Sequence, residues 1–239
     1  MLAAVRGLNY KEREGRPQWV QEGFCNPRVS FSTPSTDDCE RRMKTFWFFI
    51  SCLAVVSGLG CSKAKSPEEL AVEELTRMGA HIQVDSGKYV VDIRSNPHFT
   101  DVELNLLLKI PHIVDLTLEN LPITDEGLNV LEPLAYVSRL VLNDSNISGK
   151  GLQNLSRMPM HRTLTTLSLQ GANITDEDAK LLTEFRRVQI LAINGTQVSD
   201  RSIGVLKELP LIHLYMRGSK ISANGVAELK QAKPDLEFK

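Results

Sequence analysis

A chain of 239 residues with 42% hydrophobic, 24% charged and 6% aromatic residues has the composition of a globular protein with an aliphatic core, which excludes a collagen-like or wholly disordered class. The formal net charge of −1 excludes a protein built around nucleic-acid electrostatics, which needs a basic domain or stripe, so no nucleic-acid partner is expected. All four cysteines, Cys25, Cys39, Cys52 and Cys61, lie in the first quarter of the chain, so neither a disulfide framework nor a thiolate metal site organises the rest.

Residues 1–42 are polar and lack periodicity, and they read as a disordered or mis-annotated extension, with Met43 the more natural initiator. Residues 43–60 read as an export signal: Arg41, Arg42 and Lys44 precede an uncharged, mostly apolar run of 15 residues from Phe46 to Gly60. That run falls short of the roughly 18 to 20 residues needed to span a bilayer. Closed by Gly60-Cys61, it resembles a bacterial lipoprotein signal. The resemblance implies cleavage before Cys61, acylation of its thiol and amino group, and a membrane-anchored protein of the bacterial envelope, with 61–66 as tether. Gly58 stands where that family usually has Leu, and an uncleaved anchor is the alternative.

Residues 67–88 are predicted to form an N-terminal cap. Ser66-Pro67-Glu68-Glu69 reads as a helix start, Leu70, Val72, Leu75 and Met78 as its apolar face and Gly79 as its stop. The segment "HIQVDSGKYVVDI" reads as a hairpin turning at Asp85-Ser86-Gly87.

From 89 to 239 the chain repeats itself. The inward pairs Val91/Ile93, Leu116/Leu118, Leu140/Leu142, Leu167/Leu169, Leu191/Ile193, Leu214/Met216 and Leu236/Phe238 succeed one another at offsets of 25, 24, 27, 24, 23 and 22 residues: six units and a terminal strand. Alternation in each short segment predicts a strand. A branched residue comes five places on (Ile123, Ile147, Ile174, Val198, Ile221), then Ser or Thr with acids behind it, as in "NITDEDAKLL". This is helix-entry chemistry, a hydroxyl capping free N–H groups and carboxylates facing the positive end of the dipole. Helically spaced apolar residues such as Leu128, Leu131 and Leu134, or Ile203, Val205, Leu206 and Leu209, complete the unit.

The pattern resembles the leucine-rich repeat family, in particular the ribonuclease-inhibitor-like "ITDxGL" type found in bacterial lipoproteins of planctomycete-like genomes. The resemblance implies an α/β solenoid with short parallel strands on a concave face and helices on a convex face. Where many members of the family carry Asn or Cys at the strand-to-turn corner, this chain has Leu121, Ser145, Ala172, Thr196 and Ser219, so an asparagine ladder is expected to be missing.

Catalytic chemistry finds little support. His81, His98, His112, His161 and His213 have no metal-ligand spacing, nucleophile-elbow and zinc motifs are missing, and "SGKG" at 148–151 reads as a helix entry rather than a phosphate loop. No enzyme activity, metal or cofactor is expected. Asn-x-Ser/Thr triplets begin at Asn143, Asn146, Asn154, Asn173 and Asn194; they read as repeat-corner residues, or as glycan sites in a eukaryotic secreted protein.

Two surfaces are candidates for binding. The last outward column of the strands, Arg94, Glu119, Asn143, Gln170, Asn194 and Arg217, together with Tyr215, offers hydrogen-bonding groups for a protein or glycan; an unselective solvated face is the alternative. The third unit carries three extra residues within "SRMPMHRTL", where Arg157, His161 and Arg162 are expected to stack beside Arg186 and Arg187 as a basic edge, or simply to answer helix dipoles. The expectation is a monomeric, exported, lipid-anchored interaction module, the alternative a structural spacer of the envelope.

Overall fold

The structure, a computed structural model, describes residues 64–239; the extension, the signal and Cys61 lie outside the described residues. Helix α1 (Pro67–Arg77) begins with a capping box: Glu69 N donates to Ser66 Oγ (3.1 Å), and Ser66 N donates to Glu69 Oε2 (2.8 Å). Its buried residues are Ala71 and Leu75, whereas Leu70, expected on the apolar face, is exposed. Strands β1 (His81–Asp85) and β2 (Lys88–Arg94) form the hairpin, joined by Ser86 and Gly87, both at positive φ as a tight two-residue turn requires.

Strands β3 (Ile113–Glu119), β4 (Arg139–Val141), β5 (Thr166–Ser168), β6 (Ile190–Ala192), β7 (His213–Tyr215) and β8 (Glu237–Phe238) then add in sequence order, each parallel to the last, to make one sheet of eight strands. The register sets Val91 beside Leu116, then Leu140, Leu167, Leu191 and Leu214, as the repeat spacing predicts. At the last step it differs: Leu214 pairs with Phe238 rather than with Leu236, so the terminal strand sits two residues later than expected. The inward pairs from Val91/Ile93 to Leu191/Ile193 have no exposed surface, and each fully buried aliphatic side chain contributes about 1.5–3 kcal/mol. Ile123, Ile147, Ile174 and Val198 close the core at the corners, with Phe99 and Phe185 its largest buried members. Met216, Ile221 and Phe238, in the last units described, are only half-buried.

The connections on the opposite side are less regular than the sequence pattern predicts. Three are α-helices of six to ten residues: α2 (Gly149–Arg157), α4 (Ile203–Glu208) and α5 (Ala223–Ala232). The first two units instead use 3-10 helices, Glu103–Lys109 and Gly127–Leu131, and the fourth has one α-helical turn, α3 (Asp176–Ala179), running into a 3-10 segment, Lys180–Glu184. Pitch accounts for part of the choice. A 3-10 helix rises about 2.0 Å per residue against about 1.5 Å for an α-helix, so it covers a return path with fewer residues. The 27-residue third unit has residues to spare and forms the nine-residue α2. Length alone does not decide, because in the 23-residue fifth unit a 3-10 turn, Asp200–Ser202, leads into α4.

Candidate functional site

The acids behind Thr100, Thr124, Thr175 and Ser199 do more than meet a helix dipole. Asp101 accepts hydrogen bonds from Thr124 N (2.9 Å) and Oγ1 (2.6 Å) of the next unit, and Asp125 does the same for Ser148 N (2.8 Å) and Oγ (2.5 Å). Asp176 accepts from Ser199 N (2.8 Å), Ser199 Oγ (2.6 Å) and Ser202 Oγ (2.5 Å), and Asp200 from Ser222 N (2.7 Å) and Oγ (2.6 Å). The carboxylate therefore reaches across to its neighbour and satisfies the helix-entry N–H there.

Space for it comes from the third residue after each Ser or Thr. A Cβ on Gly127, Gly151 or Gly225 would come within 1.9, 2.3 and 2.3 Å of Asp101, Asp125 and Asp200 oxygens respectively, and at the fourth junction Ser202 turns its hydroxyl to Asp176. Where no preceding carboxylate arrives, the third residue is itself acidic. Glu103 accepts from Thr100 N (2.7 Å) and Oγ1 (2.6 Å), and Asp178 from Thr175 N (2.9 Å) and Oγ1 (2.7 Å). The preceding position for Thr175 is Gly149, so the ladder breaks once, between the third and fourth units.

These contacts tune the carboxyls. Burial, the largest influence on Asp176, pushes it up, but the Ser199 and Ser202 hydrogen bonds together with Arg201 outweigh it and hold it below the ordinary range. The Ser222 hydroxyl and N–H lower Asp200, and the Thr100 hydroxyl and N–H lower Glu103.

On the opposite face the strands present their outward columns. The middle column is nearly covered at Thr117, Val141 and Ser168, whose small side chains form the floor of a trough. Two clefts open along it. One of about 370 Å³ includes Arg94, Glu119, Arg139, Asn143, Ser168 and Gln170. The other, of about 590 Å³, includes Asp144, Gln170, Asn194, Tyr215, Arg217 and Lys239. Gln170, Asn194 and Tyr215 line both, so the trough is continuous, and every strand-face residue singled out from sequence borders it.

The amides at its centre are not free for a ligand in the way outward alternation suggests. Asn143 Oδ1 accepts from Ser168 Oγ (2.6 Å) and Gln170 N (3.2 Å), and Asn194 Oδ1 accepts from Arg217 N (2.7 Å). Asn194 Nδ2 donates to Gln170 Oε1 (3.2 Å), and Gln170 Nε2 to Asp144 Oδ2 (3.4 Å). A ladder of amides thus runs along the last strand column, while at the corner Thr196 Oγ1 returns to Ile193 O (2.8 Å). After the ladder comes a residue at positive φ in every unit: Ser95, Asn120, Asp144, Gly171, Gly195 and Gly218. At Gly171 a side chain would also meet Asp144 Oδ1 at 2.3 Å.

Charge is distributed unevenly along the trough. At the first strands Arg94 pairs with Asp92 (2.7 Å) and Glu119 (3.2 Å), and Arg139 Nε lies 3.8 Å from Asp115. Burial lifts the Asp115 carboxyl above its usual range, against the pull of Arg139 and with a further push from Asp92. At the last strands Lys239 Nζ sits 5.8 Å from the Tyr215 ring centre, and the exposed Arg217 side chain has no ion pair among the described residues. Lys239 and Asp144 were not singled out from sequence as ligand-facing; strand alternation alone does not bring a terminal lysine or a corner aspartate to this cleft.

The basic edge also forms. His161, Arg162, Arg186 and Arg187 line a cleft of about 470 Å³ with Glu184; Arg157 is exposed but is not part of that lining. His161 Nδ1 lies 2.7 Å from Met158 O, and its ring meets Phe185 edge-on at 6.4 Å, so this histidine is held in place by the fold. Among the described residues, no three His, Cys, Asp or Glu side chains come together as metal ligands do.

A sheet of consecutive parallel strands, a buried leucine pair in each, and helical returns on the other side define a leucine-rich repeat solenoid. The family model described as leucine-rich repeat matches residues 161–182, one unit's worth of the chain. No curated protein matches the sequence. Similar solved structures include internalin C2 of Listeria monocytogenes, 18% identical with a TM-score of 0.41, covering 63% of this chain and 79% of its own. They also include the internalin InlF of the same organism, 19% identical with a TM-score of 0.44, where 77% of this chain spans 52% of the other. A plant ice-binding protein is 13% identical, with a TM-score of 0.33 and coverage of 66% on both sides.

Proposed function

We propose that the protein is a non-enzymatic interaction module, exported and held to a bacterial envelope membrane through lipid on Cys61, that binds a protein or glycan in the trough of its strand face. The observation that carries the binding reading is the continuity of the two clefts at Tyr215, with Arg217 and Lys239 beside it, after the central amides have been committed to the fold. An aromatic ring flanked by cations at one end of a polar trough supplies the residue types that dominate binding hot spots. The anchoring reading is supported by the basic flank, the apolar run and Gly60-Cys61 in the sequence.

The test of binding is affinity capture from an envelope extract. Replacing Tyr215 and Arg217 together by Ala is expected to weaken capture by about 2 kcal/mol or more, roughly thirtyfold, with unfolding unchanged. Capture that is indifferent to this pair moves the site off the strand face, and a parent chain that captures nothing leaves an envelope spacer as the function. Anchoring is tested separately by palmitate labelling in a lipoprotein-competent bacterium. Label lost in Cys61→Ser is the expected result; label unchanged refutes acylation at that thiol.

A further inference from the structure

Each return from the helical side enters its strand along one edge of the sheet, the edge where β2 to β7 begin. Four of the six exposed large apolar side chains among the described residues lie toward it; of the other two, Val102 precedes the first 3-10 helix and Leu70 lies on α1. Leu108, in the last turn of the first 3-10 helix, and Tyr136 and Ile212, in helix-to-strand connections, are 39%, 67% and 46% exposed; Val84, 57% exposed, pairs with Tyr89 at the start of β2. Around Tyr136 the first two connections form a groove of about 250 Å³ with Leu108, Pro111 and Pro133, and the His112 ring lies 6.3 Å from that of Tyr136. Farther along the same edge come Arg157, Arg162, Arg186 and Arg187, all exposed, opposed in those two connections by Glu184. The other connections carry Glu132, Glu208 and Asp235 together with Lys109, Lys207 and Lys233, so the arginines of this edge lie in the third and fourth units.

The chain also enters the solenoid at this edge. Helix α1 packs against the first 3-10 helix, and its first turn lies beside the start of β2, where the Tyr89 hydroxyl donates to Glu68. Between Cys61 and Pro67 there are too few residues to extend beyond roughly 20 Å. A lipid on Cys61 would therefore be joined to the solenoid by a short tether whose described end, Pro67, lies at this edge.

We propose that the strand-start edge is a membrane-docking surface for an anionic bilayer, with Leu108, Tyr136 and Ile212 entering the headgroup region and Arg162, Arg186 and Arg187 pairing with lipid phosphates. Tyrosine suits such a boundary because its ring is apolar and its hydroxyl wet, and arginine matches phosphate with paired N–H donors. The tether argument rests on the anchoring reading; the apolar and basic content of the edge does not. Docked in this way, the trough opens sideways along the membrane rather than into it.

The experiment uses the full chain and its Cys61→Ser variant on vesicles of phosphatidylcholine, with or without phosphatidylglycerol, and reads amide hydrogen exchange and sedimentation. On phosphatidylglycerol vesicles, amides in 108–113, 133–139, 157–162 and 184–189 are expected to exchange more slowly, while 143–147 and 171–175 on the opposite edge stay unchanged. Converting Arg162, Arg186 and Arg187 to Ser is expected to lower partitioning of the Cys61→Ser chain roughly a hundredfold, an effect that shrinks as salt rises. Edge amides left unprotected on the phosphatidylglycerol vesicles, or protected equally on both kinds, overturn the proposal. If acylation fails but docking holds, the Cys61→Ser chain and its parent give the same edge protection. If acylation holds but docking fails, the parent sediments with vesicles while its edge exchanges freely.

Discussion

Asp176→Ala removes three hydrogen bonds at once, to Ser199 N, Ser199 Oγ and Ser202 Oγ, all within 2.5–2.8 Å. Two consequences differ in size. Ser199 is only half-buried, so water can replace much of what its groups lose. Ser202 is 1% exposed, and its hydroxyl is left without a partner at about 1–3 kcal/mol. Loss of a carboxylate from the first turn of α3 adds about 0.3–1 kcal/mol through the helix dipole. The expected destabilisation is about 2–4 kcal/mol, measured as the shift in a urea unfolding curve at constant slope. Glu177→Ala is the control: it shares the first turn and the dipole, but its carboxylate is exposed and pairs with Lys180 alone, so only a small fraction of that loss is expected. A double cycle with Ser202→Ala should show a coupling of about 1 kcal/mol or more. Equal losses at Asp176 and Glu177, or strict additivity with Ser202, would mean that the acid acts only on its own helix and the inter-unit ladder carries no energy.

Gly149→Asp alone should destabilise, because its Cβ would lie 1.8 Å from an Asp178 oxygen; combined with Asp178→Gly it should recover most of the loss by extending the ladder, as thermal unfolding of the three variants would show. Lowering the pH should destabilise the fold: Asp176, Asp200 and Glu103 have depressed folded pKa values, so their stabilisation is complete above the unfolded carboxylate range of about pH 4 and is lost as pH falls through the lower folded values. Asp115, raised by burial, opposes that trend in the range just above its unfolded value, and Asp176→Asn should flatten the dependence of Tm on pH at the acid end. Leu167→Ala should cost about 2–5 kcal/mol, and Ser168→Ala about 1 kcal/mol because its hydroxyl donates to Asn143 at 2.6 Å; a negligible cost at Ser168 would show that the amide ladder does not need it.

The sheet was legible because its signal is local and alternating: Leu140 and Leu142 face inward whatever their neighbours do, and the structure buries both completely. What alternation cannot report is the use made of the outward positions. Asn143 and Asn194 point away from the core, as their place in the strand requires, and then bend along the sheet to hold the next strand. The helical returns were legible as apolar spacing but not as pitch, since Leu104 and Leu107 or Leu128 and Leu131, three apart, serve a 3-10 helix as well as an α-helix. The carboxylate ladder joins residues 22 to 26 positions apart, so its partners are named only once the register is known. Its trace was nonetheless in the sequence, in the exchange of Gly127, Gly151 and Gly225 for Glu103 and Asp178 at equivalent places. The apolar strand-start edge escaped because Leu108 and Pro111 sit in one return and Tyr136 in the next, with no common motif.

The ladder makes the order of the units matter. A unit that offers a carboxylate, such as the one with Asp125, must be succeeded by one whose third helix-entry residue is small; a unit that offers none, such as the one with Gly149, can precede one that brings its own acid. Transposing the fourth unit to follow the second would set Asp125 against Asp178, two like charges in space that holds one. Ala223 in the last full unit offers nothing, so a further unit grafted beyond it must either carry its own acid, as the one with Asp178 does, or be joined after Ala223→Asp. The repeats are thus built alike but are not interchangeable parts, and the rule for joining them can be read from two positions in each.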